Sequence, residues 1–442
     1  MSSFRRESVW VGCLVALSGL ALTPTAQGQA SGADAPAPGA QEKQTGKAGY
    51  EEVPQFGGPS SAGAQLEEDD RPKESVLRFD GIQRGLAPYF DFKARLQEDH
   101  GLSFGMDYTA LYQGASDSPG EDSAASGIFR LFGNWTLTGR GTQNTGSIVF
   151  KGENRHRLGT DVPPSALGFE TGYVGLTAAP YNDADWWLTN LFWQQRTSEG
   201  RLNFVAGIVD ATDYLDIYGL INPWTAFTNL AFITGSGTTA LPNQGLGAAL
   251  GAMLSDQVYL VAGLTDANGD PGNPEDSFDS FFNDHEYFKH VEIGWTPSYD
   301  RRYLDNAHVL LWHADERDDA GVPDGWGVNV SFARFLDDTW MPFVRAGYSD
   351  DGGALLEKSV SVGIGRYMAY RRDLLGLGLN WGKPSSDFGS GLDDQYTAEL
   401  FYRIQLSEHF AITPDVQAVL NPALNPDEDT LFVLGLRARL AL

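Results

Sequence analysis

The chain has 442 residues and a formal net charge of −27, with 52 glycines and 12% aromatic residues. This acidic excess argues against nucleic acid as a ligand, because phosphate backbones are bound through basic surfaces. Abundant glycine and aromatic residues favour an all-β chain with many turns, either a membrane barrel or a large soluble acidic β protein.

The N-terminus has the composition of a secretory signal peptide. Arg5 and Arg6 precede an apolar stretch from Val9 to Leu22, and Gly28-Gln29-Ala30 provides a small-residue cleavage site. The apolar stretch, about 14 residues long, is short for a membrane helix. We therefore predict that residues 1–30 are a cleaved signal peptide.

Residues 31–100 are predicted to form a periplasmic leader and linker. The first part, to about Pro72, is rich in Ala, Gly, Pro, Gln and Glu and lacks apolar periodicity, which is typical of weakly ordered chain. Further on, Tyr89–Phe92 fits either a short strand or a plug-like element. Cys13, the only cysteine, lies in the signal peptide, so we expect the mature chain to form no disulfides.

Residues 101–442 are predicted to be a transmembrane antiparallel β-barrel, because they form a series of alternating segments. In the last segment, Leu434 and Leu436 alternate with Arg437 and Arg439, which gives the strand one apolar and one cationic face. A closed barrel with lipid outside and water inside satisfies both faces. The segments have the length of tilted membrane strands, about 9–11 residues, whereas soluble strands are usually about 5–6.

The connections between segments predict 16 strands. Short turns such as Thr197–Gly200 alternate with long loops, which is the habit of outer-membrane barrels. Both chain ends should be periplasmic, which requires an even number of strands, yet a direct scan gives an odd number of candidates. The weakest candidate, Gly168–Ala178, has three glycines and alternates poorly. We assign it to an external loop at about 156–186.

The sequence resembles the OprB family of carbohydrate-selective porins over roughly residues 56–442. The stretches that carry the resemblance are Phe56–Ser60 with Leu66–Arg71, then Leu202–Gly207, Ile412–Gln417, and Asn421–Asp429 running into Gly435–Arg439. The last two are the most specific in order and spacing. The resemblance implies an outer-membrane channel through which glucose and similar small saccharides diffuse passively.

The resemblance also implies partners and a location. We expect a Gram-negative outer membrane, contact with its lipid and lipopolysaccharide, folding by the barrel assembly machinery, and a monomer or homotrimer. One departure is visible at the C-terminus. Outer-membrane barrels usually end in an aromatic residue that the assembly machinery reads, whereas this chain ends in Leu442. Because the apolar alternation is intact, we still expect insertion.

The inward phase of the predicted strands supplies candidate pore-lining residues. A sugar pore needs polar groups that replace water around hydroxyls and aromatic faces for sugar rings. The candidates are Arg130, Lys151, Glu153, Arg155, Trp224, Arg345, Glu399 and Arg403, and the ring continues with Asp415, Gln417, Arg437 and Arg439. The ladder Lys151/Glu153/Arg155 is the preferred constriction. The alternatives are structural ion pairs along a wet wall and, for Trp224, a loop anchor.

No catalytic residue, metal or cofactor is predicted. His285-Glu286 is followed by His290 one residue too late for a zinc motif, and Asp266–Asp270 begins like a calcium loop that Pro271 and Ser277 interrupt. The acidic external loops suit a solvated surface or divalent cations bridging to lipopolysaccharide. The competing functions are a general or anion-selective channel, a non-channel outer-membrane protein, and a soluble periplasmic β protein.

Overall fold

The structure is a computed structural model that describes residues 56–297, 302–369 and 372–442. The predicted signal peptide, Cys13 and the leader up to residue 55 lie outside the described residues. Within those ranges, no helix has both the length and the apolar character that a membrane span requires.

Sixteen antiparallel strands close into one barrel within the described residues, as the sequence predicted. In chain order they are β1 (Leu102–Ala115), β2 (Ser123–Thr138), β3 (Gly146–Arg157), β4 (Asp185–Thr197), β5 (Leu202–Val209), β6 (Gly245–Met253), β7 (Val258–Asp266), β8 (Tyr287–Trp295), β9 (Asn306–Ala314), β10 (Gly325–Ala333), β11 (Trp340–Asp351), β12 (Leu356–Met368), β13 (Asp373–Pro384), β14 (Gln395–Ser407), β15 (Phe410–Leu420) and β16 (Thr430–Ala441). Each strand pairs with its neighbours in sequence, and β16 pairs with β1.

The seam between β1 and β16 removes the last free strand edges. Its register pairs Thr109 with Arg439 and Leu111 with Arg437. Closure satisfies every backbone ladder without an exposed edge, which is the condition for a sheet in lipid. The predicted alternation is also observed, since Leu434 and Leu436 are exposed on the outside while Arg437 is buried inside.

The connections alternate between short and long, as predicted. Turns at 198–201, 254–257 and 408–409 lie at the rim where β1 begins and β16 ends, which we call the terminal rim. The longest connections, 158–184 and 210–244, lie at the other end of the strands that they join. The connection 158–184 contains helix α3 (Pro164–Glu170) and no strand, so the decision to leave Gly168–Ala178 out of the strand count is confirmed.

The connection 210–244, here called the inward loop, folds into the barrel. Its Phe227 packs against Phe232 of the same loop and against the inward rings of Phe343 and Phe401, with centroid distances of 4.9–5.8 Å. The wall makes room at Gly378, where an added Cβ would lie 2.7 Å from the Phe232 ring. An apolar core thus fills part of the lumen.

The predicted leader contributes two helices, one on each side of the barrel wall. Helix α1 (Ala62–Asp70) lies inside the lumen, where Ala62 and Leu66 pack against the inward Phe132 and Val149. Helix α2 (Asp80–His100) follows and contacts β1 and β2. Tyr89–Phe92, for which the sequence left a strand or a plug-like element open, is part of α2 and is helical.

Candidate pore lining

A chain of ion pairs links α1 to the seam of the barrel. Both carboxylate oxygens of Asp69 accept hydrogen bonds from Arg439, at 2.9 and 2.6 Å. Arg439 Nε also donates to Asp107 at 2.8 Å, and Asp107 accepts a second bond from Arg130 Nε at 2.8 Å. Because Arg439, Asp107 and Arg130 lie on three adjacent strands, the network ties α1 to the closing seam.

Trp224 of the inward loop continues this network into the lumen. The Arg130 guanidinium lies over its indole ring, 3.9 Å from the centroid, and Tyr181 packs against it at 5.4 Å. Arg437 holds the backbone on both sides of Trp224, donating to the carbonyls of Pro223 (2.5 Å) and Ala226 (2.9 Å). The indole is 6% exposed, so Arg130 and Tyr181 occupy faces that a sugar would otherwise need.

The ladder on β3 divides into two pairs instead of forming one charged row. Lys151 donates to both oxygens of Asp213 on the inward loop, at 3.1 and 2.9 Å. Arg155 Nε donates to Glu153 at 2.7 Å, and its guanidinium lies 4.4 Å from the ring centroid of Trp187. The ladder therefore supplies one attachment point for the inward loop and one ion pair within the wall.

A second set of buried charges binds the inward loop to the opposite part of the wall. Asp216 of the loop pairs with Arg345 on β11 and contacts His308 Nε2 at 2.9 Å. Glu399 on β14 accepts the backbone N–H groups of Thr228 at 2.7 Å and Asn229 at 3.0 Å. These contacts replace the water that the loop's polar backbone would lose inside the barrel.

Two openings flank α1 inside the lumen. The first, about 490 Å³ including its solvent-open mouth, is lined by Phe56, Ser61, Asn134, Asn190, Phe192, Gln194, Arg196, Asp210, Asp213 and Tyr214, among others. The second, about 390 Å³, lies near Trp224, Arg403, Gln405, His409 and Arg439. Within the described residues, Arg403 has no carboxylate at salt-bridge distance, and its buried Nε has no hydrogen-bond partner.

The loop and helix carboxylates respond differently to burial. Burial raises the pKa of Asp213 to about 6, because Lys151 offsets only part of the desolvation and Asp210 adds repulsion. For Asp69, burial again opposes ionisation, but Arg439 and Lys73 outweigh it and hold the pKa well below its usual value. Asp213 is therefore the lumen carboxylate of the inward loop that changes charge in the accessible pH range.

The sequence profile of the carbohydrate-selective porin, OprB family, matches residues 83–323 and 324–442. The chain belongs to the OprB family. The porin is a carbohydrate-selective channel of the Gram-negative outer membrane, and its family and fold indicate a channel rather than an enzyme. Because the short turns lie at the terminal rim, that rim faces the periplasm.

Solved structures agree with this porin in fold. The high-pH structure of Pseudomonas putida OprB has a TM-score of 0.61 and 14% identity, over 80% of this chain and 97% of that chain. The low-pH structure of the same protein has a TM-score of 0.48 and 13% identity, over 80% and 96%. A mutant of the Rh. blastica porin has a TM-score of 0.48 and 12% identity, over 77% and 100%. No curated protein gives a significant sequence match.

The structure places the predicted site residues in two groups. Arg130, Lys151, Glu153 and Arg155 lie together on β2 and β3, near α1 and Trp224. Arg345 and Glu399 lie beneath the inward loop, where they bind its polar groups, and Arg403 lies at the second opening. A role in permeation stays a prediction for all of them.

Sequence reasoning missed the acidic partners of these cations. Asp107 falls on the inward phase of β1, so the same alternation that identified Arg130 would have found it. Asp69, Asp213 and Asp216 lie in α1 and the inward loop. No periodicity marks them, since their partners are distant in sequence and known only from the fold.

Proposed function

We propose that small neutral saccharides, glucose among them, diffuse passively through this barrel along the opening between α1, β2–β5 and the inward loop. The observation that carries the proposal is that the lumen charges bordering this opening are paired while its uncharged polar groups are not. Asn134 Oδ1, Asn190 Oδ1 and the Tyr214 hydroxyl are buried and have no hydrogen-bond partner within the described residues. Such groups can replace water around sugar hydroxyls.

Paired charges explain why neutral solutes are preferred there. The Lys151–Asp213 and Glu153–Arg155 pairs cancel charge locally, so the opening offers dipoles and hydrogen-bonding groups instead of a net field. The rings of Phe56 and Phe192 at the same opening supply apolar faces for the C–H surfaces of a sugar. Weak, distributed contacts of this kind allow release as well as entry.

The test is single-channel conductance of refolded protein in a planar bilayer, with glucose titrated into the bath. We expect steady channels that glucose blocks progressively. Gln194→Leu, on the inward phase beside Asn190, should weaken glucose block several-fold, whereas Gln195→Leu, on the opposite face of the same strand, should leave it unchanged. Channels indifferent to glucose in both the parent and the variants would refute the proposal.

A general or anion-selective channel is the second candidate, and Arg403 favours it. A guanidinium without a carboxylate partner at the second opening would attract anions. Reversal potentials in a KCl gradient separate the candidates, since an anion pore gives a strong chloride preference that Arg403→Gln removes.

We also propose the finer partners that the family suggests. These are outer-membrane lipid and lipopolysaccharide around the barrel, the barrel assembly machinery during insertion, and a monomer or homotrimer. Native mass spectrometry of detergent-extracted protein would distinguish the two assembly states.

A further inference from the structure

Helix α2 runs along the outside of the periplasmic rim. Near its beginning, Gln83 donates to Glu408 in the turn between β14 and β15, at 2.7 Å. At its end, Trp135 on β2 donates its indole N–H to the His100 carbonyl at 3.2 Å. A helix of 21 residues is about 32 Å long, and neighbouring strands are about 4.8 Å apart, so these contacts fit a helix that follows the rim.

One buried lysine fixes which face of α2 meets the barrel. Lys93 donates to Asp70, the last residue of α1, at 2.6 Å. Its ammonium group also lies 5.6–5.8 Å from the ring centroids of Tyr89, Phe90 and Phe104. Because Lys93 is only 6% exposed, the helix cannot turn about its axis without breaking this cluster.

The orientation set by Lys93 leaves apolar side chains uncovered. Ile82 is 57% exposed and Phe92 is 46% exposed, and Leu77 and Phe79 before the helix are also exposed. The other face of α2 is polar, with Arg84, Asp91, Arg95 and Glu98 at helical spacing. An exposed apolar stripe beside a charged face is the pattern of a helix that lies in a membrane interface.

The uncovered stripe continues the surface that the barrel turns to lipid. Phe92 meets Phe104 edge-on at 6.5 Å, and Phe104 shares the outward phase of β1 with Tyr108 and the exposed Tyr112. Trp135, at the end of α2, is an outward tryptophan close to the rim, where membrane proteins place their interfacial belts. Bilayer hydrocarbon that covers Phe104 therefore reaches Phe92 at the same depth.

We propose that α2 is an interfacial helix that binds phospholipid acyl chains of the periplasmic leaflet of the outer membrane. Its three basic residues (Arg84, Lys93, Arg95) face four carboxylates (Asp80, Asp91, Glu98, Asp99) within Asp80–His100, so attraction to anionic head groups contributes little. Apolar burial by Ile82 and Phe92 supplies the binding, and the polar face lies toward the periplasm.

The test uses single nitroxide labels on the full chain, refolded into phosphatidylcholine vesicles. A Cys13→Ser background leaves no other cysteine. Ile82→Cys and Phe92→Cys report on the apolar stripe, while Arg84→Cys and Asp91→Cys are matched controls on the polar face. Power-saturation electron paramagnetic resonance then compares collisions with oxygen, which concentrates in lipid, and with a water-soluble nickel chelate.

We expect the labels at 82 and 92 to favour oxygen over the nickel chelate several-fold, and the labels at 84 and 91 to show the reverse preference. The heat-modifiable gel shift of each variant confirms that the barrel is folded. Equal access of the nickel chelate to all four positions would overturn the proposal, because the stripe would then face water. Dipolar broadening between labels at 92 would also overturn it, since the occupant would be a second copy of the chain.

Discussion

Protonation of Asp213 should make the pore more anion-selective as the pH falls. With the pKa at about 6, roughly 3% of Asp213 is protonated at pH 7.5 and roughly 97% at pH 4.5. Protonation removes one negative charge but leaves Lys151 charged, 2.9 Å away. One uncompensated charge in a wet lumen is worth about 1 kcal/mol to a nearby ion, which is roughly fivefold in local chloride concentration.

The assay is the reversal potential in a KCl gradient, measured at half-unit steps between pH 4.5 and 7.5. We expect the chloride-to-potassium permeability ratio to rise several-fold as the pH falls, with a midpoint near 6. Asp213→Asn should show the acid-form ratio throughout and no step. Asp256→Asn, an exposed carboxylate in a periplasmic turn, is the control and should keep the step. A step of unchanged size in Asp213→Asn would show that another group titrates and that Asp213 lies away from the ion path.

Three substitutions test how the lumen is held. Glu399→Leu removes the charged acceptor of two loop N–H groups, at about 1.5–3 kcal/mol each, and should give larger, noisier channels; unchanged current noise would contradict this. Asp107→Asn weakens the ion pairs of Arg130 and Arg439 and should destabilise the barrel by about 3 kcal/mol, measured by urea unfolding in detergent, with no shift in the midpoint as the opposing result. Gly378→Val collides with the Phe232 ring and should cost about 1–3 kcal/mol, whereas wild-type stability would show that the loop moves aside freely.

The barrel could be predicted from sequence because a membrane strand repeats one simple rule. In β16, alternation alone placed Leu434 outside and Arg437 inside, and the structure agrees. The rejection of Gly168–Ala178 followed from parity between two rims, which is a property of the whole closed sheet. Both inferences use short-range pattern or connection length, which a single sequence displays directly.

The interior could not be predicted in the same way, because its elements are aperiodic and its contacts are distant in sequence. Nothing near Trp224 reveals that Arg130 covers its ring. Likewise, the β3 ladder looked continuous because Lys151, Glu153 and Arg155 share one face, but Asp213 of the inward loop captures Lys151 and divides the ladder. Tyr89–Phe92 was ambiguous because its aromatic residues suit a strand, whereas packing on Phe104 and Lys93 selects the helix.

The lumen also shows why charge is abundant in a pore for neutral solutes. Buried ion pairs add little net stability, but removing one partner is costly, so each pair fixes one arrangement more firmly than apolar packing would. Here the pairs Asp69–Arg439, Lys151–Asp213 and Asp216–Arg345 all join an aperiodic segment to a strand. The charges therefore specify where α1 and the inward loop lie. Because they are neutralised in doing so, the open space is left to the amide and aromatic groups that neutral saccharides require.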